Sequence, residues 1–177
     1  NAITMLSFIL AAYLNVYWLF LAVAGLFINW FGDSLDGRLA YFRNTPRKWY
    51  GFTLDLMVDW IGIILIGLGF IVYVEGPWEI AGYLFVVLYG WSMIIAIQRY
   101  KITGQYSIDS GSFGPTEVRF VILGIMVLEV FVHNSLLITS SIICVVLFVF
   151  NLRDVANLLK LADQKDKEEK AANLQKK

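Results

Sequence analysis

The residues of this chain best suited to chemistry are four aspartates in two close pairs, Asp33 with Asp36 and Asp55 with Asp59. Spacings of three and four residues place the members of each pair on one face of an α-helix. The sequence around them is apolar enough for a membrane, where ionised groups are costly and are functional candidates by default. Two such pairs facing each other would form an oxygen-rich site, which suits Mg²⁺ or Mn²⁺ better than metals that prefer His or Cys.

Two divalent ions held in this way could bind a pair of phosphates and stabilise in-line displacement at phosphorus. A carboxylate that the metals do not fully use could take the proton from an attacking hydroxyl. Gly37 and Gly51 lie next to or just before an acidic pair. Their missing side chains either let a ligand lie against the helix backbone or permit close helix packing, and the sequence leaves both interpretations open.

The acids must be positioned by membrane helices. The chain of 177 residues is 59% hydrophobic and only 16% charged, with a mean hydropathy of +0.68, which is unlike a soluble domain. We predict an all-α integral membrane protein of six transmembrane helices with a short charged C-terminal helix or tail. The apolar segments are 2–14, 17–42, 51–74, 79–99, 115–132 and 136–153.

The first segment is shorter than the roughly 20 residues that a spanning helix needs. One long bent helix over 2–42 is therefore a competing prediction. Because the apolar run begins at once and without Met, we also expect an amino-terminal part to be missing. The domain prediction is a six-helix catalytic domain over 1–153, followed by a charged cytoplasmic tail over 154–177.

Positive charge orients the six-span arrangement. In it, all 14 Lys and Arg residues fall on one side of the membrane, in the links 37–50 and 99–119 and in the tail after 152. The opposite side carries Glu75, Glu79 and His133. The positive-inside bias places both termini in the cytoplasm, and both acidic pairs then lie at a shallow depth facing it. The structural alternative, buried ion pairs such as Asp36 with Arg38, would leave most of the acids uncompensated.

These residues resemble the pattern of a known family, the CDP-alcohol phosphotransferases. The pattern covers residues 33–59 and reads Asp33-x2-Asp36-Gly37-x2-Ala40-x10-Gly51-x3-Asp55-x3-Asp59. The layout of six spans, the start Asn1-Ala-Ile-Thr4 and the run Gly114-Pro115-Thr116-Glu117 are similar to the family as well. The resemblance implies a membrane enzyme of phospholipid synthesis that moves a substituted phosphate from a CDP-linked donor to a hydroxyl acceptor and releases CMP.

The resemblance also implies roles for individual residues. Asp33, Asp36, Asp55 and Asp59 would ligate two Mg²⁺ or Mn²⁺ ions, and Asp59 would also act as the catalytic base. Substrate binding would fall to Gly37, Ala40, Gly51, Arg43, Thr116, Glu117 and Arg119. The family usually has Arg after its alanine, whereas this chain has Tyr41, and a phenol cannot replace the charge of a guanidinium. Arg43 or Arg38 then supplies that charge, or donor binding differs in detail.

Several questions stay open at this stage. Family members tend to form homodimers, and the acceptor is either diacylglycerol, with a CDP-aminoalcohol donor, or glycerol phosphate or inositol, with CDP-diacylglycerol. A divalent-cation or proton-coupled carrier is the alternative function, and a non-catalytic membrane subunit is a third. Arg99 and Lys101 could bind phosphate or simply anchor the helix at the membrane surface. Glu129 and His133, one turn apart, indicate a hydrogen bond at the far interface more than a site.

Overall fold

The computed structural model describes residues 1–42, 47–104 and 115–175; within them the side chains of 33, 36–41, 48, 115–119 and 175 are outside the description. The described residues form α-helices and short 3₁₀ turns and contain no β-strand. The helices are α1 (Ala2–Tyr13), α2 (Leu19–Phe42), α3 (Lys48–Tyr73), α4 (Glu79–Thr103), α5 (Pro115–Phe131) and α6 (Ser135–Gln175).

Each apolar segment predicted from the sequence corresponds to one of these helices. The competing prediction of one long helix over 2–42 is wrong, because α1 ends at Tyr13 and a 3₁₀ turn over Val16–Trp18 precedes α2. The side chain of Asn15 accepts a hydrogen bond from the backbone N–H of Tyr17 (2.9 Å) and so caps this turn. An Asn side chain that bonds the backbone two residues on favours a turn over a continued helix.

Three helical stretches are long and apolar enough to cross a membrane, namely Trp49–Tyr73, Gly76–Thr103 and Ser135–Leu174. The other apolar stretches of the described chain, Ala2–Tyr13, Val16–Gly32 and Phe120–Phe131, are shorter. Large apolar side chains are exposed on the outward faces of the helices, for example Ile80 and Val145. This pattern fits a bundle surrounded by lipid, and six complete spans stay a prediction.

The helices alternate in direction. The Phe20 ring contacts Phe131 and the Trp30 ring contacts Phe120, so α2 and α5 run antiparallel. In contrast, α4 and α6 run parallel with a constant offset of 63 residues: Cys144 lies against Ala81, Asn151 against Leu88 and Lys165 against Ile102. This register continues beyond the predicted end of the sixth apolar segment, because α6 contains no Gly or Pro and extends to Gln175.

Glycines allow α3 to approach its neighbours closely. A Cβ at Gly67 would collide with Val86 of α4, and one at Gly69 would lie 3.0 Å from the Met5 Cα of α1. A Cβ at Gly90 of α4 would lie 2.6 Å from the Trp60 ring of α3. Small residues that bring helix backbones together are common in membrane interfaces. Gly67, Gly69 and Gly90 therefore permit close contact between α3 and its neighbours.

The buried core lies toward the end of the bundle at which α3 ends and α6 begins. Phe8 of α1 is 1% exposed and meets the Phe70 ring edge-on at 6.4 Å. Leu19, Met126 and Leu136 belong to the same cluster. An apolar cavity of about 60 Å³ adjoins it, between α1, α3, α4, α5 and α6. The first turns of α3, at the other end, contribute no residue to this cluster.

Candidate active site

The first half of α3 carries two of the four acids. Asp55 and Asp59 lie four residues apart on this helix, so their side chains share one face. Asp55 is exposed and Asp59 is half-buried. A role of these two side chains as metal ligands stays a prediction.

Gly51 lies one turn before Asp55 on the same helix. Whereas added Cβ atoms at Gly67 and Gly69 would collide with or crowd neighbouring helices, one at Gly51 meets no described atom within 4 Å. Close helix packing therefore does not explain Gly51 within the described part of the chain. The other interpretation from the sequence, that a ligand lies against the backbone here, stays a prediction.

The other acidic pair lies on α2. Asp33 and Asp36 occupy the last three turns of this helix and follow the apolar sequence of its earlier turns. Their side chains lie outside the described ones, so a meeting between the acids of α2 and those of α3 stays a prediction. The remaining predicted substrate-binding residues also lie outside the described side chains: Gly37 and Ala40 on α2, Arg43 in 43–46, and Thr116, Glu117 and Arg119 on α5.

The donor set at the start of α3 fits a hard divalent cation. Asp55 and Asp59 present carboxylate oxygens, which are the ligands that Mg²⁺ and Mn²⁺ prefer. Among the described side chains, no three or more of His, Cys, Asp and Glu lie together as a metal site would require. Asp33 and Asp36 are not among those side chains. The two described acids are therefore half of the predicted ligand set.

Aromatic contacts connect the start of α3 to the last turn of α4. The Tyr100 ring lies 5.6 Å from the Phe52 ring and 6.3 Å from the Trp49 ring, measured between centroids. These tilted geometries are those that aromatic pairs favour. Gly51 lies between the two α3 rings in sequence. The last turn of α4 thus contacts the residues that flank Gly51 at the candidate site.

Arg99, which the sequence suggested for phosphate binding or anchoring, has a protein partner. Its Nη2 lies 3.5 Å from Oδ1 of Asp154 on α6. Farther along α6, the Lys165 ammonium donates a 2.7 Å hydrogen bond to the carbonyl oxygen of Ile102. The sequence alone suggests no contact between α4 and either Asp154 or Lys165. Nothing in the sequence pairs residues on α4 with residues on α6, because a whole helix separates the two in the chain.

Glu129 belongs to a separate, structural network at the opposite end of the bundle. Its carboxylate is 2% exposed and accepts hydrogen bonds from the Tyr73 hydroxyl (3.0 Å) and the Ser135 hydroxyl (3.1 Å). The backbone N–H groups of Asn134 (3.1 Å) and Leu136 (2.6 Å) also donate to it. These N–H groups belong to the start of α6, where a helix has donors without intrahelical partners. The hydrogen bond expected between Glu129 and His133 is not formed, since exposed His133 lies 4.0 Å from a carboxylate that the four other donors occupy.

Comparison with protein families identifies the chain. The model of the CDP-alcohol phosphatidyltransferase family matches residues 1–152, a range that contains both acidic pairs and helices α1 to α5. The chain belongs to this family. A comparison with curated proteins gives no match, and neither does a comparison with solved structures.

Membership establishes the class of reaction. CDP-alcohol phosphatidyltransferases are transferases of substituted phosphate groups that act in phospholipid synthesis, and they generally depend on a divalent metal. The chain is accordingly an enzyme of this class, and its apolar helices fit a membrane protein. The resemblance inferred from the spaced acids and glycines is therefore confirmed.

Proposed function

We propose that this CDP-alcohol phosphatidyltransferase uses Asp33, Asp36, Asp55 and Asp59 to hold two Mg²⁺ or Mn²⁺ ions at a site open to the cytoplasm. The observation that supports the proposal most directly is the position of Asp55 and Asp59, which lie one turn apart on the accessible face of α3 inside the family match. When bound, such ions neutralise the diphosphate and the charge that develops during displacement at phosphorus. The cytoplasmic orientation rests on the distribution of positive charge.

In the proposed reaction, Asp59 accepts the proton of the acceptor hydroxyl. The acceptor oxygen then forms a bond to the β-phosphorus of the CDP-linked donor. The bond between that phosphorus and the bridging oxygen breaks, and CMP leaves with the electron pair. A half-buried carboxylate suits this step, because it is reachable by the substrate and less fully solvated than an exposed one.

Gly51 would provide the surface for the donor. The space beside its Cα lets a cytidine or diphosphate group approach the helix backbone one turn from Asp55. Gly37 and Ala40 would serve the same purpose on α2. Arg43 with Arg119 would bind phosphate oxygens, for which guanidinium groups are well suited, and Thr116 with Glu117 would complete the pocket.

The test is CMP release by purified protein with a panel of donors and acceptors. The panel pairs CDP-choline or CDP-ethanolamine with diacylglycerol, and CDP-diacylglycerol with glycerol phosphate or inositol. We expect one pairing to be active with Mg²⁺ or Mn²⁺ and inactive after chelation. Asp59→Asn should lower CMP release by about 100-fold or more, the scale of a lost general base.

The matched control is Asp163→Asn. This acid is exposed on α6 and pairs with Lys167 at 2.6 Å, so its loss should leave activity and thermal unfolding unchanged. CMP release by a folded Asp59→Asn protein at nearly the wild-type rate would refute the assignment of the base. Metal flux into liposomes without any CDP compound would instead favour the carrier.

A further inference from the structure

We infer that the extension of α6 beyond the membrane positions the start of α3, and with it the proposed metal site, by holding the last turn of α4. This inference rests on the proposed function. It concerns the terminal α4–α6 contact, which we define as the Arg99–Asp154 ion pair together with the hydrogen bond from Lys165 to the Ile102 carbonyl. Asp154 and Lys165 are positioning residues, because each acts through α4.

The terminal α4–α6 contact is specific in geometry. Its hydrogen bond from Lys165 to Ile102 keeps the 63-residue register that Cys144 and Asn151 establish within the apolar part of the bundle, whereas its ion pair joins residues 55 apart in the chain, Arg99 and Asp154. Asn151 is 3% exposed, donates to the Leu88 carbonyl at 2.8 Å and accepts from the Ser92 hydroxyl at 2.7 Å. Beyond this buried contact at Asn151, α6 continues alongside α4 as the same unbroken helix.

The contact contributes little to stability. Arg99 and Asp154 are 17% and 20% exposed, and partly exposed pairs of this kind contribute about 0–1 kcal/mol because solvent screens them. Ordering a long Lys side chain also costs conformational entropy. The Lys165 ammonium nevertheless bonds a carbonyl of the last turn of α4, where carbonyls lack intrahelical donors and positive charge is favoured. The main consequence of the terminal α4–α6 contact is to fix the position of the last turn of α4.

Position matters here because Tyr100 belongs to the same turn of α4. Its ring contacts Trp49 and Phe52, the residues that flank Gly51 on α3. The start of α3 has no side-chain cap at Arg47 within the described chain, so contacts with neighbouring helices hold it in place. A displaced α4 end would therefore shift Gly51 and Asp55 together.

The first experiment measures the Mg²⁺ concentration that gives half-maximal CMP release. Lys165→Met keeps most of the apolar length of the side chain and removes the ammonium. We expect it to raise that concentration by about 2- to 30-fold, the range for mutations that alter coupling through packed contacts. The thermal unfolding midpoint should not move. Lys165→Arg, which can still donate to the carbonyl, should restore the wild-type value.

The matched control is Lys167→Met. Its ammonium bonds Asp163 on the same helix at 2.6 Å, and it should leave the Mg²⁺ requirement unchanged. Tyr100→Leu should raise the requirement, and the double variant Lys165→Met/Tyr100→Leu should raise it no further, because both changes act on one route.

The outcomes separate the inference from the proposed function. Absence of CMP release by the wild-type protein with every donor would refute the proposed function. An active wild type with an unchanged Mg²⁺ requirement in Lys165→Met would overturn the positioning inference alone. A lower unfolding midpoint with an unchanged Mg²⁺ requirement would also overturn it, since the contact would then serve stability only.

Discussion

The two ends of α3 contain acids in different surroundings. In its first half, Asp55 is exposed and Asp59 is half-buried. At its last turn, Tyr73 donates a hydrogen bond to Glu129 of α5, which is 2% exposed. A carboxylate has about four lone-pair sites. Described donors account for that number at Glu129, which accepts two hydroxyl and two backbone hydrogen bonds. An ion binding at Glu129 would have to displace these protein donors.

This difference accounts for the structural role of Glu129 and supports the proposed catalytic role of Asp59. In a membrane segment any acid stands out by its rarity, and the sequence separated Asp59 from Glu129 only because Asp59 belongs to a pattern of spaced acids. The surroundings decide between them. At Glu129 the start of α6 supplies N–H groups that need an acceptor, and the acid satisfies them. Near Asp59 the same helix carries Asp55 and Gly51, the other α3 residues of the proposed metal and donor site.

Among the variants that test this difference between the two ends of α3, Glu129→Gln should have the largest effect on stability. The amide keeps one acceptor oxygen but puts an NH₂ group opposite donors of the α6 start, so buried N–H or hydroxyl groups lose their partner. Each such loss costs about 1–3 kcal/mol, and we expect the free energy of unfolding in detergent to fall by about 2–4 kcal/mol. CMP release per folded molecule should be unchanged, which is the reverse of the pattern expected for Asp59→Asn.

The control for this change is Glu75→Gln, since Glu75 is an exposed acid in the α3–α4 connection whose side chain caps nothing. It should alter neither property. If Glu129→Gln abolished CMP release while the protein kept its wild-type unfolding free energy, the division of α3 into a catalytic and a structural end would be refuted.

A smaller effect is expected from alanine at two glycines of α3. At Gly67 the new Cβ would collide with Val86, whose branched side chain has little rotamer freedom on a helix, and we expect a loss of about 1–3 kcal/mol. At Gly51 the Cβ meets no described atom within 4 Å, so stability should be kept or rise by up to about 1 kcal/mol. The measurements are thermal unfolding and the KM for the CDP donor.

The two variants should therefore affect different properties, the KM for the donor at Gly51 and stability at Gly67. Gly51→Ala should raise the KM for the donor, and Gly67→Ala should leave the KM of the folded fraction unchanged. Gly124→Ala on α5, where a Cβ also meets no described atom within 4 Å, serves as the reference for helix propensity alone. An unaltered KM in Gly51→Ala would show that the donor does not lie against this part of the backbone.

The sequence predicted the fold well because hydropathy and breaks in it determine where membrane helices lie. The Asn15 turn, the Gly76–Trp78 turn and the link before Ser135 all separate helices as expected. The spaced acids and glycines also predicted the family. The pairing of α4 with α6 could not be predicted from the sequence, because Arg99 and Asp154 meet only through a parallel arrangement of helices that no local pattern encodes. The four donors to Glu129 were hidden for the same reason, since they come from α3, from the start of α6 and from the turn before it.

The smallest effect is expected from Tyr73→Phe, which removes one donor from Glu129 and leaves the ring in place. The Tyr73 ring packs against Phe8 at 5.8 Å, and that contact survives the change. Because the three other donors still satisfy the carboxylate, the loss should be that of a single hydrogen bond, about 1 kcal/mol and up to about 3 kcal/mol if the acid is charged. Thermal unfolding of Tyr73→Phe and of Glu129→Gln/Tyr73→Phe measures the coupling: in the double variant the second change should cost less than it does alone. Equal costs in both backgrounds would mean that the hydroxyl and the carboxylate do not act together, and the far end of α3 would then depend on apolar packing alone.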